Sequence, residues 1–108
     1  MKNIGIDIVS VKEFKKFRKN KTFFEKIFTE NEIKYCLSKK NSCCHFAGKF
    51  ALKEAFIKCM KKSPKIKEIE ILNDKKMKPY ILWKGKRIKA LTSISHDENN
   101  AIAVCLLI

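Results

Sequence analysis

The stretch Cys43 to Lys62, CCHFAGKFALKEAFIKCMKK, decides the fold of this chain. It contains a single glycine and no proline, and alanines recur at intervals of four residues, so it predicts the longest helix. Apolar residues occur on nearly every side of this predicted helix, which favours a central and largely buried position. Its charged side chains are informative, because charged residues are almost never fully buried unless they are paired. They are Lys49, Lys53, Glu54 and Lys58.

The residues before this helix predict one strand followed by short helices. From Asn3 to Val9, isoleucines occupy every second position and Asp7 lies on the opposite face, which is the pattern of a half-buried strand. Three capping-box patterns follow, each of which predicts the start of a helix. They are Ser10-x-x-Glu13, Thr22-x-x-Glu25 and Thr29-x-x-Glu32.

The residues after the long helix change to strand patterns separated by turns. The predicted strands are Ile66 to Leu72, Pro79 to Trp83, Leu91 to Ser95 and Ala101 to Ile108. Asn99-Asn100 lies between the last two strands, and asparagine tolerates left-handed backbone, so these strands are expected to form a hairpin. A strand, then helices, then a meander of strands indicates the α+β class.

Charge is the most unusual feature of the composition. The 108 residues include 25 lysines and arginines against 11 aspartates and glutamates, a formal net charge of +14. This length allows one domain, which we assign to residues 1–108. The charge would attract nucleic acid, an anionic membrane, a phosphorylated ligand or an acidic protein, and it does not choose among them.

Several features indicate a cytoplasmic protein without a membrane partner. No apolar run approaches the roughly 18 residues that a spanning helix needs. The segment Met1 to Asp7 carries an acidic residue where a signal peptide is continuously apolar. The five cysteines are odd in number and lack C-x-x-C spacing, which is typical of buried free thiols.

A basic stripe is expected on the first helix, where lysines recur at positions i, i+3, i+4 and i+7. Such a stripe either is a solvated helix face or guides an acidic partner to the protein. Its residues are Lys12, Lys15, Lys16 and Lys19.

Asp7 and Glu54 are two carboxylates on rigid elements, with lysines close by in the predicted fold. A hard divalent cation bound together with a phosphorylated ligand needs this combination of oxygen ligands and cations. Each residue also has an ordinary explanation: Glu54 and Lys58 at i, i+4 match a common helix ion pair, and His96 alone could be a hydrogen-bonded loop histidine. The chain contains no Walker sequence and no G-x-G-x-x-G, which excludes the phosphate-binding loops of those types.

Three blocks of the sequence resemble the signature blocks of holo-acyl-carrier-protein synthases, the short AcpS-type class of phosphopantetheinyl transferases. They are Gly5 to Val9 (GIDIV), Phe46 to Lys58 (FAGKFALKEAFIK), and Ser93 to Asp97 (SISHD) followed by Ala101 to Ala103. The blocks occur in the family's order and span nearly the whole chain. The resemblance implies a long central helix packed on an antiparallel sheet, and a homotrimer with active sites at subunit interfaces.

The resemblance also implies a reaction, in which the 4′-phosphopantetheine arm of coenzyme A is transferred to a serine of an acidic apo acyl carrier protein, releasing adenosine 3′,5′-bisphosphate. Asp7 and Glu54 correspond to the ligands of a magnesium ion, and Glu54, Lys58 and His96 to the catalytic residues. Either Glu54 or a metal-bound water could deprotonate the serine. The positions expected to bind the coenzyme are Lys49, Lys53, Lys58, Lys78, Pro79, Ser95 and His96. The basic stripe is the expected contact with the carrier protein.

The chain departs from the family pattern at two positions. Lys49 stands where the family often has arginine. An arginine guanidinium can bind a phosphate through two parallel hydrogen bonds, whereas a lysine ammonium acts as a point charge. Met77 stands where the family commonly has glycine, in the turn before Lys78-Pro79.

Two other functions are compatible with parts of the sequence. A small basic nucleic-acid-binding protein would explain the charge and the eight phenylalanines, but it lacks recognition motifs and leaves Asp7 and Glu54 unexplained. An inactive scaffold for the carrier protein would not need Asp7, Glu54, Lys58 and His96 together.

Overall fold

The computed structural model of the protein describes residues 2–17 and 19–108, and Met1, the first residue of the segment considered for a signal peptide, lies outside them. Its helices are α1 (Val11–Phe17), α2 (Lys21–Ile27), α3 (Glu30–Leu37) and α4 (Ser42–Cys59), with a single 3₁₀ turn at Ile66–Glu68. Its strands are β1 (Asn3–Ser10), β2 (Ile69–Asn73), β3 (Pro79–Trp83), β4 (Lys86–Arg87), β5 (Ala90–His96) and β6 (Asn100–Leu107). This element order confirms the predicted α+β class.

Two antiparallel sheets surround the long helix. The first has the strand order β1-β6-β5 and the second the order β2-β3-β4. Helix α4 packs mainly on β1 and β6, and it also contacts β5 and β2. The prediction of a long central helix packed on an antiparallel sheet is therefore confirmed.

Gly5 allows β1 to approach α4 closely. A Cβ atom built at this position would lie 2.0 Å from the carbonyl oxygen of Ala55, a distance that no side chain can occupy. The close approach places the neighbouring inward-facing residue of β1, Asp7, beside the C-terminal half of the helix. Between strand and helix, one core cluster is formed by residues such as Ala55, Cys59 and Cys105.

The alternation predicted for β1 is confirmed, but the apolar face is not the buried one. Ile4, Ile6 and Ile8 are 62%, 55% and 63% exposed, whereas Gly5 is buried against the helix. The reason is that only the face without a bulky side chain at position 5 lets the helix come close enough to pack. The isoleucine face of the sheet therefore remains uncovered within one chain.

The predicted helix boundaries are confirmed in part. The Thr29 capping box is present, with Thr29 N–H donating to Glu32 Oε1 at 2.9 Å. The Thr22 box is wrong, because the helix cap lies two residues earlier, at Asn20, whose side chain accepts from Phe23 N–H. Helix α4 ends at Cys59, three residues before the predicted end at Lys62.

The strand predictions need two corrections. The first three residues of the predicted strand from Ile66 form the 3₁₀ turn, so β2 starts at Ile69. The β5–β6 hairpin is confirmed, but its turn does not use left-handed asparagines. Instead, Asp97 Oδ1 accepts from the backbone N–H groups of Asn99 and Asn100, each at 2.8 Å. Within the residues described, no helix is both long and apolar enough to cross a membrane.

Candidate active site

Helix α4 and strand β1 bring together a carboxylate–lysine cluster formed by Asp7, Glu54 and Lys58. Glu54 and Lys58 are one helical turn apart, on the side of α4 that faces Asp7. Lys58 Nζ donates to Asp7 Oδ1 at 3.2 Å and to the carbonyl oxygen of Ile6 at 2.9 Å. The structure therefore brings the sequence-predicted metal ligands and Lys58 to one place.

The electrostatics of this cluster favour a bound cation. Partial burial raises the pKa of Glu54, and the neighbouring Asp7 carboxylate raises it further, while the Lys58 ammonium opposes this shift. A divalent cation between the two carboxylates would offset both the burial of the Glu54 charge and its repulsion with Asp7. In the described part of the chain, no group of three or more histidine, cysteine or acidic residues could hold a metal. Two carboxylate donors suit magnesium, which keeps waters and takes phosphate oxygens.

A second group of site residues lines a cleft of about 250 Å³ between α4, β5 and the β2–β3 turn. His96 is exposed at the end of β5, and its ring centroid lies 5.3 Å from that of His45 on α4. Burial lowers the pKa of His45, and His96 and the lysines Lys39 and Lys49 lower it further. His45 is therefore predominantly neutral near pH 7 and can offer one donor and one acceptor to a ligand.

Lys53 is not in the candidate site. Its side chain is completely buried, and Nζ donates to Glu32 Oε1 and to the carbonyl oxygen of Ile27, both at 2.7 Å. Glu32 Oε2 in turn accepts from Ile71 N–H at 2.7 Å. The expected role of Lys53 in coenzyme binding is therefore corrected to a structural one, because its ammonium is sealed inside an ion pair.

Lys49 is also turned away from solvent, with only 3% of its surface exposed. Its Nζ donates to the carbonyl oxygen of Ile71 at 2.7 Å and to Asn73 Oδ1 at 2.8 Å. It also lies 4.5 Å from the centre of the Tyr35 ring. Burial lowers the pKa of its ammonium, opposed by the nearby acidic side chains. Lys49 lines the cleft, but its donors point into the protein.

The remaining predicted coenzyme residues are divided between two faces. Ser95 pairs with Ile102 on the outer face of the first sheet, opposite to the face that His96 shares with α4. Pro79 lines the cleft beside His45 and His96. Lys78 is exposed in the preceding turn, where its backbone N–H donates to Asp74 Oδ1 at 2.9 Å. The turn keeps the conformation typical of glycine, because Met77 adopts a φ of 68°.

The basic stripe is exposed along its whole length, at Lys12, Lys15, Lys16 and Lys19. Helix α1 ends at Phe17, so Lys19 lies beyond the helix rather than on it. Lys15 and His96 line the same open groove of about 550 Å³. The stripe therefore adjoins the histidine end of the site.

Sequence reasoning missed three residues that shape the site. Glu32 was recognised only as a capping residue, and nothing in its local pattern shows that it also pairs with a lysine 21 residues later. His45 directly precedes the long-helix block, and its position one turn before Lys49 could have indicated a site residue. No signal in the sequence points to Asn73, because its importance depends on packing between β2 and α4.

Comparisons with known proteins agree with this geometry. Residues 3–105 match the family model of the 4′-phosphopantetheinyl transferase superfamily. The chain is 38% identical over 111 residues to a holo-[acyl-carrier-protein] synthase from Thermodesulfovibrio yellowstonii, covering 99% of this chain and 98% of the relative.

Solved structures give the same result. A holo-(acyl-carrier-protein) synthase from Bacillus anthracis, in complex with CoA (3′,5′-ADP), is 31% identical with a TM-score of 0.81, covering 97% of this chain and 94% of that one. The Helicobacter pylori holo-[acyl-carrier-protein] synthase in complex with coenzyme A is 34% identical with a TM-score of 0.79, covering 94% of this chain and 96% of that one. The chain thus belongs to the 4′-phosphopantetheinyl transferase superfamily.

Proposed function

We propose that this transferase moves the 4′-phosphopantetheine arm from coenzyme A to a serine of an acidic apo acyl carrier protein in a magnesium-dependent reaction. The other product is adenosine 3′,5′-bisphosphate. The observation that carries the proposal is the cluster of Asp7, Glu54 and Lys58, which joins two carboxylates and an exposed ammonium on one face. Its residues come from two of the three signature blocks, and coenzyme A is present in the solved structures of relatives.

Each residue of the cluster has a task in phosphoryl transfer, where positioning and charge stabilisation contribute most of the rate. Asp7 and Glu54 would hold the magnesium ion, which supplies charge neutralisation at the pyrophosphate of the coenzyme. Lys58 Nζ, on a side chain that is 55% exposed, would bind a phosphate oxygen on the solvent side. Glu54 or a water held by the magnesium ion would accept the serine proton.

His96 belongs to a different part of the site. Glu54 and His45 are nine residues apart on α4, which corresponds to about 14 Å along the helix axis. The carboxylate cluster and the histidine cleft of one chain are therefore separate. We propose that a complete site combines the carboxylate cluster of one subunit with the His45–His96 cleft of its neighbour, and that the assembly is a homotrimer.

The uncovered face of the first sheet supports this assembly. The cross-strand register places apolar side chains of β1, β6 and β5 on one face, and a soluble monomer rarely leaves such a face open. The most exposed of them are Ile4, Ile6, Ile8, Leu91, Ile102 and Leu106. Sedimentation should show a trimer, and Ile6→Glu should dissociate it and remove activity. A fully active monomer would contradict the shared-site assembly.

The carrier protein is proposed to dock on the basic stripe. Phe17, which is 39% exposed and stacks on Phe23 with 4.4 Å between ring centroids, adds an apolar contact at its edge. Lys15→Gln/Lys16→Gln should raise the KM for the carrier about tenfold and weaken its dependence on salt. Lys61→Gln/Lys62→Gln removes the same charge at the far end of α4 and serves as the control. Equal effects of both pairs would reject a specific docking surface.

The test of the reaction is the intact mass of an apo acyl carrier protein after incubation with this protein, coenzyme A and magnesium. A gain of one phosphopantetheine on the carrier, abolished by a chelator, is the expected result. No gain on several carriers, together with a salt-dependent shift of DNA or RNA, would favour the nucleic-acid-binding function instead. We place the reaction in the cytoplasm, where the free cysteines would remain reduced.

A further inference from the structure

Lys49 is a buried cation that makes two hydrogen bonds within the protein. One donates to the Ile71 carbonyl oxygen at 2.7 Å and one to Asn73 Oδ1 at 2.8 Å. The Tyr35 ring lies 4.5 Å from Nζ and offers its face to the remaining charge. A lysine ammonium has three donors, so little is left for a phosphate in the cleft. Its position at the cleft therefore needs an explanation other than direct binding.

The hydrogen bond from Lys49 fixes the orientation of the Asn73 amide. Because Oδ1 accepts from the ammonium, Nδ2 is turned toward the β2–β3 turn, where it donates to the carbonyl oxygen of Met77 at 3.1 Å. Lys49, Asn73 and Met77 thus form a relay of two hydrogen bonds that runs from α4 to the turn. The relay ends at a residue whose conformation is unusual.

Met77 adopts a φ of 68°, in the left-handed region that residues with a Cβ atom rarely occupy. Asp74 holds the flanks of the same turn, because its Oδ1 accepts from Lys76 N–H and Lys78 N–H at 2.8 and 2.9 Å. Met77 N–H donates to the Asp74 carbonyl oxygen at 2.9 Å, and the Met77 carbonyl oxygen accepts from the Asn73 amide. Met77 and Pro79 line the cleft that also contains His45 and His96.

We propose that Lys49 and Asn73 are positioning residues, which hold Met77 in its left-handed conformation and so shape the cleft wall next to His96. This inference rests on the proposed function, since it assumes that the cleft receives coenzyme A. It replaces the expectation that Lys49 contacts the coenzyme directly. It also gives a reason why the turn tolerates methionine where glycine would adopt the conformation freely.

The decisive variants are Asn73→Ala, Met77→Gly and the double variant. Asn73→Ala removes the relay without changing any charge, and should raise the KM for coenzyme A about tenfold while kcat stays within about twofold. Glycine takes the left-handed conformation without support, so the double variant should show a KM within about twofold of Met77→Gly alone. Lys49→Met should resemble Asn73→Ala, and Lys61→Met, at an exposed position, is the control.

A different pattern of results would show that Lys49 binds the coenzyme directly. If Lys49 binds a phosphate itself, Lys49→Met loses coenzyme binding by calorimetry, Asn73→Ala changes little, and Met77→Gly rescues neither variant.

Thermal unfolding provides a readout that does not depend on coenzyme A. The relay predicts that Met77→Gly raises the unfolding temperature by a few degrees less in the Asn73→Ala background than in the parent chain, because Met77 without the Asn73 amide can relax and carries less strain for glycine to relieve. Equal shifts in both backgrounds would overturn the relay, even if the protein binds no coenzyme. Absence of coenzyme binding in the parent chain, with unequal shifts, would instead contradict the proposed function and leave the relay supported.

Discussion

Lys53 and Glu54 are neighbours on α4, yet their side chains end in opposite environments. Lys53 points toward α3 and β2, where it is completely buried and bonded to Glu32 at 2.7 Å. Glu54 points toward β1, where it is partly exposed and lies beside a second carboxylate, Asp7. The charge of Lys53 is neutralised by the carboxylate of Glu32 within the protein. The charge of Glu54 lies next to a charge of the same sign.

This difference separates structural charge from functional charge. In the Glu32–Lys53 pair, backbone groups at Thr29, Ile27 and Ile71 complete the hydrogen bonds, so a further ligand has no place there. In the Asp7–Glu54 cluster, Lys58 donates to the carboxylate of Asp7 and to the Ile6 carbonyl oxygen, and one ammonium does not balance the charge of two carboxylates. Carboxylates whose charge is not balanced by protein groups, on an accessible face, indicate a ligand-binding site.

The largest effect on stability is expected from removing one partner of the buried Glu32–Lys53 pair. Lys53→Met would leave the Glu32 carboxylate buried without its cation, which should lower the free energy of unfolding by about 3–5 kcal/mol. This is a large part of the stability of a domain, so urea unfolding should show a much lower midpoint or no folded protein. Lys61→Met is the exposed control. A loss below about 1 kcal/mol for Lys53→Met would mean that the pair contributes little.

In the carboxylate–lysine cluster, a substitution should lower activity rather than stability. Glu54→Gln should lower kcat/KM for transfer by at least about a hundredfold, because it removes one of the two proposed metal ligands. The same substitution should not lower the unfolding temperature in the presence of a chelator, since it relieves repulsion with Asp7. Glu25→Gln, at an exposed position of α2, should change neither property. Turnover close to that of the parent chain would remove Glu54 from its assigned role.

Lys58 can be compared directly with Lys53, because it is also a lysine of α4 but belongs to the accessible carboxylate–lysine cluster. Lys58→Gln should lower kcat/KM about tenfold through loss of a phosphate contact. Its exposed ion pair with Asp7 should cost less than about 1 kcal/mol of stability, far below the expected cost at Lys53. Steady-state kinetics and urea unfolding of Lys58→Gln and Lys62→Gln, measured together, provide the check. A strong loss of stability with normal turnover would reverse the assignment.

The smallest effect concerns pH. The pKa of Glu54 in the folded protein is raised above its ordinary value of 4.5, so the folded state binds the proton more tightly than the unfolded state. This contribution to stability is fully present below pH 4.5 and is lost as the pH rises through the raised pKa. With a chelator present, the unfolding temperature of the parent chain should fall relative to Glu54→Gln over that range. Parallel profiles would show that the folded and unfolded pKa values are equal.

Much of the site could be predicted from the sequence because its residues lie in contiguous patterns. The absence of proline and the alanine spacing predict α4, and the helix then places Glu54 and Lys58 one turn apart without further information. Asp7 could be assigned to one face of β1 from alternation alone. These predictions are confirmed because they depend on local backbone geometry, which neighbouring residues determine.

Other features could not be predicted, because they depend on which elements meet. Alternation cannot tell which face of β1 is buried, and the close approach of α4 at Gly5 selected the face without the isoleucines. Ser95 and His96 are adjacent in one signature block but face opposite sides of the sheet, since strand side chains alternate. Only one of them can share a face with α4.

The sequence by itself determined the class of fold, the long helix, the carboxylates and lysines of the signature blocks, and the basic first helix. Only the tertiary structure decided that Lys49 and Lys53 are turned into the protein, whereas Glu54 and Lys58 face the accessible cluster. All four lie on the same helix, so helical spacing gives their relative directions but not what each direction meets. The partners that decide their roles, Glu32 and Asn73, come from segments that only packing brings next to α4.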